Sequence, residues 1–135
     1  MAKLLFDTGP LVALVFQDEA RHEECAQFLK GFRGRFVSTE AILTEALHLF
    51  GNSFANQKRC FDFIFQAVQL VPATALSLIR CATLMDKYQD IPMDYADATL
   101  ITLAEEMQIG EIFTLDRRGF ETYRWGRNRA FKIYP

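Results

Sequence analysis

Four carboxylates, Asp7, Glu45, Asp97 and Asp116, are the side chains of this sequence whose type and placement suit joint chemistry. Asp7 follows the short apolar run Leu4-Leu5-Phe6, and Asp116 follows Ile112-Phe113-Thr114-Leu115. Both runs read as strands buried on two faces, so both acids fall at the C-terminal ends of strands, where open α/β sheets bind ligands. Glu45 lies on the helix after a second strand, where its spacing from Ala41, Ile42 and Leu49 places it on or beside the buried side. Asp97 falls in the first turn of the helix that leads to the Asp116 strand. Four like charges gathered at one pole repel, and burial adds to the cost. A divalent cation removes that penalty. Mg²⁺ or Mn²⁺ suits an all-oxygen donor set, and the chain lacks the His/Cys grouping that zinc takes.

Taken singly, each acid has an ordinary use. Asp7 and Asp116 suit turns, the latter ahead of Arg117-Arg118-Gly119. Asp94 and Asp97 suit a helix cap that complements the dipole, which is the favoured reading for Asp94. Glu45 alone suits a solvated helix face. Their joint placement is the argument for a site.

The elements that must position these acids alternate between strand and helix. After the first strand, Gly9-Pro10 opens a helix over 10–16, with proline in the first turn where its missing N–H costs little. Asp18 is expected to cap a second helix carrying Ala20, Cys25, Phe28 and Leu29. A basic turn at Gly31 and Gly34 precedes the strand Phe36-Val37, and Ser38 is expected to cap the helix of Glu45. Over 54–69, Phe54, Phe61, Ile64, Phe65 and Val68 share one helical face, with Phe63 off it. Leu70-Val71 is a third strand, and a helix over 75–88 ends before Ile91-Pro92. A helix from Asp94 to Gly110, the strand 112–115 and a last strand within 130–134 complete the chain. The pattern implies an α/β fold in which residues 1–135 form one domain. Its core is a mainly parallel central sheet of about five short strands flanked by helices.

The composition of the 135 residues fits that expectation: half are hydrophobic, a quarter are charged, and the net charge is −2. Disorder and a strongly basic surface are excluded. Asp7 interrupts the apolar start and Asp18, Glu19, Glu23 and Glu24 follow soon after, which argues against a secretory signal. No apolar stretch approaches the roughly 20 residues of a membrane span. Cys25, Cys60 and Cys81 are widely spaced and odd in number, as expected of buried reduced thiols. A cytoplasmic location is expected.

Four segments, taken in order, resemble the successive motifs of PIN domains: Leu5-Phe6-Asp7-Thr8, Thr44-Glu45-Ala46, Asp94-Tyr95-Ala96-Asp97-Ala98, and Phe113-Thr114-Leu115-Asp116 with Phe120. The style is that of stand-alone bacterial and archaeal members, many of them VapC-like toxins. The resemblance implies a metal-dependent ribonuclease with Asp7, Glu45, Asp97 and Asp116 around Mg²⁺ or Mn²⁺. Thr8, Asp94 and Thr114 would support them. The metal would bind a phosphate oxygen and lower the pKa of a water that attacks in line. A phosphoacceptor receiver domain is the competing reading of acids at strand ends. It fails because Val71-Pro72-Ala73-Thr74 offers no acceptor after the third strand and no late lysine stands at a strand end. A housekeeping RNA-processing nuclease and a catalytically inactive binding module are the alternatives within the family.

The substrate and partner sides are also suggested by the sequence. After Asp116, basic residues led by Arg117 and Arg118 interleave with Tyr123, Trp125, Phe131 and Tyr134. That mixture suits RNA phosphates and unpaired bases, or else a charged edge strand whose aromatics belong to the core. Phe54 and Phe63 are left over as an apolar groove for a dimer partner or an inhibitory helix. A homodimer and a small antitoxin protein are the expected partners.

Overall fold

The computed structural model describes residues 2–135. They form a five-stranded parallel sheet in the order β3-β2-β1-β4-β7, beside a small antiparallel ribbon. The sheet strands are β1 (Ala2–Phe6), β2 (Gly34–Ser38), β3 (Val68–Leu70), β4 (Glu111–Phe113) and β7 (Lys132–Tyr134). The ribbon pairs β5 (Arg124–Trp125) with β6 (Arg129–Ala130).

Central β1 is apolar without alternation because both of its faces are covered. Leu4 and Phe6 join Phe36 and Phe113 on one side of the sheet, while Leu5 joins Val37 and Ile112 on the other. The first side is packed by α1 (Thr8–Val15), α2 (His22–Gly31) and α4 (Phe54–Ala67). The second is packed by α5 (Ala75–Lys87), α6 (Tyr95–Met107) and α7 (Arg117–Thr122). α3 (Glu40–Leu49) serves both, with Ile42 on one side and Leu43 and Ala46 on the other.

From β1 the chain steps outward through β2 to β3, then returns to lay β4 against the opposite edge of β1. The direction of winding therefore reverses between β1 and β4. In doubly wound sheets such a reversal splays the two connections apart and opens a crevice at the carboxyl ends of the strands.

Several local expectations are corrected. Asp18 caps nothing: α2 starts at His22 with Arg21 at its N-cap and no side-chain cap bond. Ser38 ends β2 instead of capping α3, and its Oγ donates to the Phe6 carbonyl at 2.7 Å. Thr39 takes the N-cap place of α3. β3 lies earlier than Leu70-Val71, and β4 stops at Phe113, short of Thr114 and Leu115. The last strand is two, because Phe131 separates β6 of the ribbon from β7 of the sheet.

The aromatic segment is the largest correction. Its period is helical, but the expected stripe is divided: Ile64 faces the core together with Cys60, while Phe54 and Phe65 are 69% and 78% exposed. Phe63, read as left over, stacks on Phe6 with ring centroids 5.5 Å apart. Phe6 also meets Phe36 at 4.8 Å and Phe113 at 5.4 Å, edge to face. The face of the sheet already holds these large rings, and α4 meets them with Cys60, Ile64 and the single stacked ring of Phe63.

Phe6→Ala should therefore cost about 3–5 kcal/mol of unfolding free energy, the usual range for a buried phenylalanine. Phe65→Ala should change it by no more than about 0.5 kcal/mol. Urea denaturation of both variants checks the contrast.

Candidate active site

The crevice between β1 and β4 is where the acids meet. Asp7 follows β1 directly, is buried, and serves as the N-cap of α1. Its Oδ1 accepts from Thr8 N at 2.8 Å and its Oδ2 from Thr114 Oγ1 at 2.6 Å. The Asp7 backbone N–H donates to the Phe113 carbonyl at 3.0 Å, closing the end of the ladder. Asp116 caps α7 by accepting Gly119 N–H on Oδ1 at 3.0 Å, and its own N–H donates to Thr114 Oγ1 at 2.9 Å. A side chain on Gly119 would collide with the Asp116 carboxylate and push it from this position.

The other side of the crevice is the start of α6. Asp94 Oδ1 accepts Asp97 N–H at 2.8 Å, and Asp97 Oδ2 accepts Asp94 N–H at 3.4 Å, a capping box with an acid in both places. The cap reading favoured for Asp94 is thus correct, and Asp97 combines a cap with a place facing the crevice. Tyr123, buried in the core, donates its hydroxyl to Asp97 Oδ2 at 3.3 Å. Its sequence neighbourhood, a run of arginines and aromatics, gave no sign of this contact; the signal exists only in three dimensions.

The electrostatics record the crowding. Burial pushes the Asp97 carboxyl up to about 8, aided by the negative charges of Asp94, Asp7 and Asp116 and opposed by the Asp94 backbone hydrogen bond. Burial likewise raises Asp7 to about 6 against its hydrogen bonds, with Glu45 and Asp116 adding repulsion. Glu45 is raised by burial and by Asp94, and the nearby Thr8 hydroxyl opposes the rise. That hydroxyl nonetheless closes no hydrogen bond, and among the described residues Thr8 Oγ1 is a buried side-chain polar atom without a partner.

All four acids predicted from sequence therefore lie at one pole, within electrostatic reach of their neighbours. Among the described residues, no three His, Cys, Asp or Glu side chains converge closely enough to hold one ion in this arrangement. The donor set still fits a hard cation by type: carboxylate oxygens, two of them destabilised as anions, around an unpartnered buried hydroxyl.

The sequence profile of the PIN domain matches residues 4–126. This chain belongs to the PIN domain family. It is 24% identical over 135 residues to "Ribonuclease VapC26" of Mycobacterium tuberculosis, covering 98% of this chain and all of the relative. In three dimensions this PIN domain resembles the crystal structure of Mycobacterium tuberculosis VapC20, described as a sarcin-ricin loop cleaving toxin. The TM-score is 0.74 at 14% identity over 81% of this chain and 86% of that one. It also resembles VapBC2 from Rickettsia felis, solved with a DNA fragment from the promoter, with a TM-score of 0.71 at 9% identity over 99% and 100% of the two chains. These likenesses carry the fold, which is the expected α/β sheet flanked by helices.

The tail of the PIN chain follows the second of the two readings of its composition, a charged edge strand whose aromatics belong to the core. Tyr123, Trp125 and Phe131 are core residues. The Arg129 guanidinium lies 3.7 Å from the Trp125 ring centroid, and Arg124 donates to the carbonyls of Glu121, Thr122 and Tyr123. Arg117 and Arg118, directly after Asp116 in the chain, are exposed, and Arg117 lies 4.0 Å from the Glu121 carboxylate. Cys25, Cys60 and Cys81 are buried and not joined in a disulfide. Among the described residues, no helix is long and apolar enough to cross a membrane.

A carboxyl raised by folding favours the folded state while protonated and loses that contribution as pH rises through its folded pKa. The stability supplied by protonated Asp97 is thus complete below about pH 4 and lost as pH passes about 8. In EDTA, the Tm of Asp97→Asn should rise relative to wild type as pH goes from 4 to 9. A difference that stays constant across that range would contradict the raised pKa.

Proposed function

We propose that this protein is a divalent-metal-dependent ribonuclease and the toxin of a toxin–antitoxin pair. The observation that carries the nuclease reading is the gathering of Asp7, Glu45, Asp97 and Asp116 at the switch point between β1 and β4, where the carboxyls of buried Asp7 and half-buried Asp97 are raised. The ribonuclease named above, whose full length is matched, supports the choice of RNA. The VapC and VapBC proteins of the same fold support the toxin role.

Asp7, Glu45, Asp97 and Asp116 would hold Mg²⁺ or Mn²⁺. Once bound, the ion supplies charge neutralisation at a phosphate oxygen and an acidified water. The chain's own groups do the rest. Thr114 and the Thr8 N–H fix both oxygens of Asp7, so one acid is oriented before any ligand arrives. Tyr123 orients Asp97 from below, the role of an outer-shell partner. Thr8 Oγ1 offers an unused hydroxyl to the same space. Arg117 and Arg118 would meet the RNA backbone next to the acids and fix its register without reading its bases.

Mg²⁺ or Mn²⁺ should raise the Tm, because a ligand bound only by the native state adds stability, about 2.7 kcal/mol at 100 times its Kd. Asp97→Asn should lose most of that rise, and Tyr123→Phe should weaken metal binding by about 10- to 100-fold. Asp7→Asn and Asp116→Asn should slow metal-dependent cleavage of RNA by orders of magnitude while the protein stays folded, with Asp94→Asn much milder. Cleavage by all three variants at the wild-type rate would refute the reading.

An antitoxin is a second part of the proposal, and α4 offers a surface for one. Phe54 and Phe65, with the half-buried Phe61 between them, form an outward stripe one helical face wide. An amphipathic helix would cover it and exclude water from those rings. A homodimer also belongs to this reading, with the exposed Leu76 and Ile79 of α5 as the apolar pair that a second copy would cover. Expression of the wild type alone should arrest growth, and the Asp7→Asn form should not. A small protein should co-purify with the inactive form, and Phe65→Asp should weaken its capture. A harmless wild type that retrieves nothing favours a housekeeping RNA-processing enzyme instead.

A further inference from the structure

A cavity of about 240 Å³ lies between α3, α5 and α6, and begins where the acids end. Thr44, next in chain to Glu45, and Tyr95, next to Asp94, both line it. Glu45 and Asp94 are themselves close enough to repel. The junction of α3 and α6 thus carries the acids on one side and this cavity on the other.

Four hydroxyls of its wall, those of Thr39, Thr44, Ser77 and Thr99, share one property. Thr99 Oγ1 donates to the Ala96 carbonyl at 2.6 Å, so the 2.8 Å contact between Thr39 and Thr99 must use the proton of Thr39. Thr44 Oγ1 donates to the Glu40 carbonyl at 2.9 Å, and Ser77 Oγ to the Thr74 carbonyl at 2.9 Å. With their protons committed, these hydroxyls offer lone pairs only. Glu40 and Glu106 add exposed carboxylates to the lining. Such a wall repels phosphate and accepts a group that brings N–H donors. Tyr95, 39% exposed, adds an aromatic ring of the kind on which unpaired bases stack. The volume is below the roughly 300–1,000 Å³ of pockets for drug-sized ligands, which leaves room for one ring system.

Building on the ribonuclease reading, we propose that this cavity receives a nucleobase of the RNA beside the scissile phosphate, with guanine preferred. Guanine presents adjacent N1–H and N2–H donors, a match for the two oxygens of the Glu40 carboxylate. Uracil brings one N–H between two carbonyl oxygens, which the lone pairs of the wall oppose. Glu40 and Tyr95 thereby select sequence, while the acids next door act on the phosphate.

The test uses the full-length Asp116→Asn chain in Mg²⁺ with two labelled RNA pentamers, UUGUU and UUUUU, and reads fluorescence anisotropy. The guanine pentamer should bind about tenfold tighter, within the range a good bidentate base contact supplies. Added Glu40→Gln or Tyr95→Ala should remove the preference while leaving the Tm and the uridine affinity in place. Equal affinity for the two pentamers overturns the proposal, as does a guanine preference that survives both substitutions. If Tyr95→Ala instead dissociates a dimer and the preference persists, the cavity is an interface between copies and the proposal is wrong. Wild-type cleavage of RNA with no base preference removes this inference alone. Absence of both binding and cleavage on any RNA removes the ribonuclease reading and this inference together.

Discussion

The hydroxyl of Thr114 is the point on which the site and the sheet both turn. It donates to Asp7 Oδ2 and accepts from the Asp116 backbone, and so ties together the ends of the two strands where the winding reverses. A buried carboxylate is costly unless its oxygens are satisfied, and the second oxygen of Asp7 is satisfied only because β4 lies directly beside β1. The same adjacency sets the turn that presents Asp116. Moving β4 by one residue along β1 would turn its side chains to the opposite face and separate the threonine from the aspartate. Register, cap and site are therefore one constraint.

The crowding of acids has a consequence for energetics. Desolvation, with repulsion added, holds Asp7 and Asp97 well above ordinary carboxylates, so the fold bears a destabilising pole in return for affinity toward positive charge. The surrounding structure is built to withstand it. Phe6, immediately before Asp7, sits in a nest of phenylalanine rings, and its carbonyl accepts from Ser38. Tyr123 performs the same service on the far side, where its ring packs edge to face on Phe120 and Tyr88 while its hydroxyl holds Asp97.

Much of this was legible in the sequence because the governing patterns are local. The run Leu4-Leu5-Phe6 declares a strand buried on both faces, and Asp7 beyond it declares the pole of the sheet. Asp94 and Asp97 announce a helix start by their spacing alone. What the sequence concealed was direction and partnership. A helical period does not fix the centre of the buried arc, so on α4 Ile64 stays in the core while Phe65 turns outward and Phe63 turns inward onto Phe6. Ser38 and Thr39 are both good caps, yet each hydroxyl is taken by a group more than 30 residues away, Phe6 and Thr99 respectively. Tyr123 belongs to a segment whose composition suggests RNA contact, and only packing turns it inward.

The chain's one tryptophan occupies an informative place. Trp125 is seated against Gly110, where a Cβ would overlap its ring, with Arg129 across its open face and its Nε1 donating to the Ala130 carbonyl at 3.3 Å. It is thereby clamped between the end of α6 and the β5–β6 ribbon, on the opposite end of α6 from Asp94 and Asp97. Its fluorescence is an optical gauge of ribbon docking. A red shift would mark detachment of the C-terminal hairpin as a separate, local opening, which gives this small domain a built-in distinction between fraying at its edge and loss of its core.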